Sequence, residues 1–202
     1  TVTKKDCIPI EESFQITQPN SNINLSIENI TIIDEDNDVT IGNSDGNLNP
    51  GEIVYLSLPI TNYGVSSEND LLGILTSDSE SVNIIYGVGQ YDNVSPGELG
   101  YSNSNYVIEV LSDALDNEDL NLRLSISNNH GTWESIVPID LKAGLLVVDH
   151  IQYLDNFELN PGEIGNLSIH LTNAGSIPLN DITIEILPSG SLIDVLQPFV
   201  EL

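Results

Sequence analysis

The chain has 202 residues, room for one or two domains with a buried core. It carries 31 Asp and Glu against 4 Lys and Arg, a formal net charge of −27. That field repels phosphate backbones and anionic lipid surfaces, which excludes nucleic-acid binding and electrostatic docking on a membrane. No apolar run approaches the roughly 18 residues of a membrane helix, so no membrane insertion is expected. Salt would screen the self-repulsion, which suits a saline habitat.

The first 24 residues read as an extended segment. Ile8, Ile10, Phe14 and Ile16 fall two or four positions apart between Cys7 and Gln18, a pattern that could add a strand to this chain or to a neighbour. Cys7 is the one cysteine, so no internal disulfide can form. The missing initiator Met suggests a processed mature chain or an excised piece, with any signal peptide already removed.

From residue 25 the pattern becomes short alternating strands between turns. A first strand around Ile27–Asp34 runs into the acidic stretch Asp34–Asn47. A second strand begins at Ile53, with Leu56, Leu58 and Ile60 on one face. Further strands are predicted at 71–76, 82–86, 106–111, 120–127 and 133–141. The turns between them are marked by Asn62–Gly64, Ser95-Pro96-Gly97 and Asn128–Gly131. Residues 112–119 could form one helical turn. Trp133 reads as a core residue.

A repeat organises the rest. Leu48-Asn49-Pro50-Gly51-Glu52-Ile53 recurs as Leu159-Asn160-Pro161-Gly162-Glu163-Ile164, a shift of 111 residues. At the same shift Leu56, Leu58 and Ile60 fall on Leu167, Ile169 and Leu171, and Thr61-Asn62-Tyr63-Gly64 on Thr172-Asn173-Ala174-Gly175. Upstream, Ile27–Asp34 aligns with Val148–Asp155 at a shift of 121, so the first copy holds ten extra residues in its acidic stretch. The expected fold is all-β: tandem immunoglobulin-like β-sandwiches, a complete one over 25–142 and a partial second repeat over 143–202. Nothing in the second copy corresponds to Tyr106–Leu141. The polypeptide continuing past the given residues, a strand from another chain, or a smaller free-standing sandwich would each account for this.

The string Ser44-Asp45-Gly46-Asn47-Leu48-Asn49-Pro50-Gly51-Glu52, then a strand and Thr61-Asn62-Tyr63-Gly64, resembles the immunoglobulin-like "DG-x-x-NPGE" modules of bacterial secreted and surface proteins. These include gingipain-type peptidases, other type IX secretion cargo and adhesin-like proteins. Ser95-Pro96-Gly97-Glu98 and His130-Gly131-Thr132-Trp133 extend the likeness. It implies a sandwich fold and an extracellular place, and for function only spacer, adhesive or accessory roles.

Carboxylates on alternate residues of a loop suit a hard cation that takes six to eight oxygens, which points to calcium. The candidate ligands are Asp34, Asp36, Asp38, Asp45, Asn47 and Glu52. The EF-hand pattern is not met, because its sixth position would be Val39 and its twelfth Asp45. The resemblance implies Asp45 and Glu52 as ligands, with Asp34 and Asp36 reaching in. The competing reading is a solvated acidic loop. The second copy keeps Asp155, Asn156 and Glu163 but lacks the loop, so no ion is expected there. His130, His150 and His170 are spaced by 20, unlike any compact zinc pattern. Cys7 lacks the rigid neighbours a catalytic thiol needs. Aromatic residues make up 5% of the chain, too few for the cleft of a glycosidase or glycan binder. Asn24, Asn29, Asn93 and Asn166 open glycosylation sequons that matter only in a host that uses them.

No catalytic residue is expected. The reading is a non-catalytic structural or adhesive surface protein, its partners other copies of itself or neighbouring domains, with calcium stiffening the first module. The alternative is an accessory region of a secreted hydrolase, a protease foremost.

Overall fold

The computed structural model describes residues 24–153 and 160–201. Cys7 and the apolar segment around it lie outside the described residues, as do Leu154–Leu159. The described chain contains β-strands and no helix, and every strand pairing is antiparallel.

One extended run is split by Asn29, which takes a positive φ of 54°, into β1 (Leu25–Ile27) and β2 (Thr31–Ile33). Its partner run is split at Pro59 into β3 (Ile53–Ser57) and β4 (Ile60–Asn62). Pro59 has no N–H to give a ladder, so the break falls there, and its carbonyl accepts from the Glu28 N–H at 3.0 Å. The chain continues through β5 (Leu71–Thr76), β6 (Val82–Tyr86), β7 (Val88–Tyr91), β8 (Leu99–Gly100), β9 (Tyr106–Val110), β10 (Arg123–Asn128) and β11 (Gly131–Ile136). Sheets β2-β3-β9-β6 and β11-β10-β5-β7 turn their apolar faces into one core, with β1-β4-β8 as a third sheet formed where the two long runs continue. Leu56, Leu58, Ile60, Tyr106, Ile108, Leu124 and Ile126 are each exposed by 1% or less. Burying such side chains stabilises a fold by about 1.5–3 kcal/mol apiece before entropy is counted.

Two glycines in this core are there for space. A Cβ on Gly73 would sit 2.3 Å from the Tyr106 hydroxyl, and one on Gly89 2.7 Å from it. The Tyr106 hydroxyl lies 3.2 Å from that of Tyr91, which in turn donates to the Leu58 carbonyl at 2.7 Å. Burial pushes both phenols above their ordinary range.

The second unit comprises β12 (Leu146–Tyr153), β13 (Leu167–Asn173), β14 (Thr183–Glu185) and β15 (Phe199–Glu201). It repeats the first unit at the places of β1 to β5 and β7. Leu25 pairs with Asn62, and Leu146 with Asn173; Thr31 pairs with Ser57, and Gln152 with Ser168. Those are the 121 and 111 shifts read from the sequence. The match runs further than the sequence shows, because Leu72↔Gln90, Gly73↔Gly89 and Ile74↔Val88 reappear as Thr183↔Glu201, Ile184↔Val200 and Glu185↔Phe199. Turn geometry is copied as well: Gly51 and Gly162 have φ of 85° and 89°, and Asp70 and Asp181 both 52°. A non-glycine residue at positive φ is uncommon, so its recurrence at the same shift is a strong mark of duplication.

Several expected boundaries move. The last strand of the first unit starts at Gly131 rather than at residue 133 and ends at Ile136, while Leu120 and Leu122 are buried outside any strand. Residues 112–119 form turns, not a helix. Trp133 is half-buried against the core from the edge strand β11 rather than inside it.

Candidate cation site at the acidic pole

β2 ends at Ile33 and delivers Asp34 to the pole of the first unit where Asn43–Glu52 folds over it. Asp34 is only 3% exposed. Its carboxylate accepts the backbone N–H groups of Asp45 (2.9 Å) and Gly46 (3.2 Å). Asp45 in turn accepts from the Asn47 N–H at 2.8 Å, an Asx turn in which a side chain supplies the acceptor a tight loop needs. Glu52 is 6% exposed and accepts the Asn49 N–H at 3.0 Å. Burial pushes the Glu52 carboxyl up to about 7, and the charges of Asp34 and Asp45 push the same way, against the hydrogen bond from Asn49.

The structure therefore draws Asp34, Asp45 and Glu52 into one electrostatic group, with Asn47 beside Asp45. Asp36 and Asp38 stand exposed on the loop tip. Asn37 explains their place. Its side chain accepts from the Val39 and Thr40 N–H groups and donates to the Glu35 carbonyl, closing 35–40 on itself. Among the described residues no three His, Cys, Asp or Glu side chains converge as a metal-holding group. In donor type and charge the inner trio suits a hard cation, and the raised Glu52 carboxyl marks negative charge that a cation would relieve; as folded, however, Asp34 and Glu52 accept backbone N–H groups.

Asn49 escaped the sequence reading as a functional residue. It is buried, donates to the Lys142 carbonyl at 2.8 Å and accepts from the Asn43 side chain at 2.8 Å. It thus ties the acidic loop to the linker between the units. The recurrence of Asn in both NPGE turns was the available signal. At the same pole Asp116 accepts from the Ala143 N–H and the Ser176 hydroxyl, both at 2.8 Å, which joins the first unit to the second and holds its carboxyl below the usual range. Asp116 carried no sequence signal at all.

In the second unit the turn is kept without the cage. Glu163 accepts the Asn160 N–H at 2.9 Å but is exposed, and hydrogen bonds from Asn160 hold its carboxyl below the ordinary value. Asp155 and Asn156 lie outside the described residues.

The histidines divide. His150 and His170 are cross-strand neighbours whose rings stack at 4.0 Å. His130 bonds buried Glu68 at 2.9 Å. Burial works to raise the Glu68 carboxyl, but hydrogen bonds from His130 and Asn128 outweigh it and hold it low.

Among the described residues no helix is long and apolar enough to cross a membrane. Comparison with family models, with curated proteins and with solved structures finds no match for this chain.

Proposed function

We propose that this chain is a non-catalytic extracellular structural or adhesive protein, a tandem of immunoglobulin-like sandwiches that assembles into a surface fibre by strand exchange, with calcium bound at the acidic pole of the first unit. One observation carries the reading. The second unit reproduces the β1–β4, β2–β3 and β5–β7 pairings of the first, yet among the described residues its apolar side chains stand open to solvent. Leu56, at 0% exposure, has as its counterpart Leu167 at 45%. An apolar sheet face with an unpaired edge is a docking surface for an added strand, and a contact between different surfaces of identical copies need not close into a ring.

Calcium has a mechanical place in this scheme. Asp34, Asp45 and Glu52 lie at the pole that Asn49 ties to Lys142, so a cation there would stiffen the joint between units. The oxygen donors are the kind calcium takes. In the DG-x-x-NPGE resemblance the same turn serves secreted proteins, which agrees with an extracellular place.

The test is assembly. Purified chain imaged by negative-stain microscopy should form linear polymers, and calcium should raise the unfolding temperature of the first unit, read through its one tryptophan, Trp133. A chain that stays monomeric at every concentration sinks the fibre reading, and an unmoved melting curve sinks calcium.

A further inference from the structure

The open side of the second unit has a definite shape. In the first unit, β3 holds β2 on one edge and β9 on the other, and the apolar side chains between the sheets are sealed by Tyr106, Ile108, Leu124 and Ile126. In the second unit, β12 takes the place of β1 and β2 along β13. Among the described residues no strand takes the place of β9. Residues 164–166, whose counterparts Ile53–Tyr55 are held in β3 by pairing with β9, have no strand structure, and Ile164 is 76% exposed. What remains is an open groove of about 260 Å³ lined by Leu167, Ile169, Leu171, Ile184, Ile186 and Val200.

The groove has no room for a phenol at the depth of Tyr106. Gly73 and Gly89 make room for the Tyr106 hydroxyl in the first unit. Their counterparts are Ile184 and Val200, so the floor is raised where that hydroxyl would lie. The occupant must be a strand with apolar side chains on alternate residues and no phenol at that depth.

Resting on the fibre reading above, we infer that the groove takes residues 10–16 of a second copy of this chain, with Phe14 in the place of Tyr106 and Ile16 in that of Ile108. The spacing fits: Phe14-x-Ile16 reproduces Tyr106-x-Ile108 without the hydroxyl. Glu12 then takes the place of half-exposed Ser104, and Ile10 that of half-exposed Ser102. Charge fits as well. Lys4 and Lys5, just upstream, are half of the four Lys and Arg in a chain of net charge −27, and they would be brought against an acidic neighbour.

Reach decides for a second copy over the same one. The Asn24 carbonyl accepts from the Tyr63 N–H at one end of the β1–β2 run. Asp34, at the other end, shares its pole with the linker at Lys142. Ten residues at about 3.3 Å each put those ends roughly 30 Å apart. Asn24 thus stands at the pole of the first unit away from the second. Thr17–Ile23 spans at most about 25 Å, too little to run back along the whole first unit and reach β13.

The experiment uses the full chain with Cys7→Ser as parent. The pair Phe14→Asp and Ile16→Asp should weaken polymerisation about 100-fold or more, read by sedimentation, with the far-ultraviolet circular dichroism of the parent kept. In the register inferred, Ser13 lies opposite Ser168. Ser13→Cys with Ser168→Cys should give a ladder of disulfide-linked multimers on mild oxidation, whereas Ser13→Cys with Thr172→Cys should not. Polymers that ignore the Asp pair overturn this donor while leaving the fibre reading standing. A ladder from the Thr172 pair in place of the Ser168 pair overturns the register. A disulfide closed within one monomer overturns the second-copy arm, and a parent that never polymerises overturns both readings.

Discussion

The two units share one strand plan and differ in what covers it. Where β1 to β5 and β7 have counterparts the units agree in pairing register, in positive-φ residues and in the Asn hydrogen bonds at the ends of β4 and β13. The Asn62 side chain accepts from the Gly64 N–H and donates to the Ser66 carbonyl, and Asn173 does the same with Gly175 and Ile177. Local structure is therefore set by local sequence in both. Burial is not. Position by position, residues sealed in the first unit stand part-open in the second, because the sealing strands β9 and β10 have no counterpart among the described residues. Turn chemistry and pairing set the shared strands in both units, and burial follows where β9 and β10 cover them.

The sharpest way to break this comparison is a matched pair of truncations. Leu56→Ala should destabilise the first unit by about 4 kcal/mol, since it opens a cavity in a closed core. Leu167→Ala in the monomeric chain should cost under about 1 kcal/mol, since its side chain is 45% exposed. Urea unfolding read by Trp133 fluorescence for the first unit, and by far-ultraviolet circular dichroism for both, checks the pair. Equal effects would mean that the second core is closed after all.

A second pair concerns the core floor. Gly73→Ala forces a methyl to within 2.3 Å of the Tyr106 hydroxyl and should destabilise the first unit by about 2–3 kcal/mol. Ile184→Gly, the reverse change in the second unit, deepens a groove already open and should leave the unfolding midpoint of the first unit where it was.

Most of the fold was legible because its markers are backbone constraints. Pro50 and Gly51 fix a turn that tolerates few substitutes, so the motif survived duplication while the strands drifted. The counterpart of β7 was hidden because Gly89 became Val200 and Val88 became Phe199, which leaves no identity to align. The register exposes it. Strand ends were misplaced where burial and pairing part company, as at Leu120 and Leu122. Half of the candidate cation site was legible. Alternating carboxylates looked alike in the sequence, but Asn37 folds the loop tip so that Asp36 and Asp38 face solvent, while Asp34 turns inward to accept the Asp45 and Gly46 amides. No spacing rule separates those fates.

The smallest effect is the most informative about calcium. Glu52 and Glu163 occupy the same turn and receive the same Asn N–H, yet burial and two neighbouring carboxylates raise the first to about 7 while hydrogen bonds lower the second. A carboxyl raised above its unfolded value of 4.5 binds its proton more tightly in the folded state. Its contribution is therefore fully present below pH 4.5 and is lost as pH rises through about 7. The lowered Glu163 runs the other way, losing its contribution as pH falls. Glu52→Gln removes the buried charge but keeps an oxygen for the Asn49 N–H, so at pH 8 without calcium it should stabilise the first unit by about 1–2 kcal/mol and flatten the fall between pH 5 and 8. Glu163→Gln should barely move either curve. Calcium at pH 8 should restore the wild type, because a bound cation takes over the role of the proton, and should do nothing for Glu52→Gln. Thermal unfolding followed through Trp133 across that pH range, with calcium or a chelator, reads each of these outcomes. If calcium stabilises the Glu52→Gln protein as strongly as the wild type, the cation is held somewhere other than this pole.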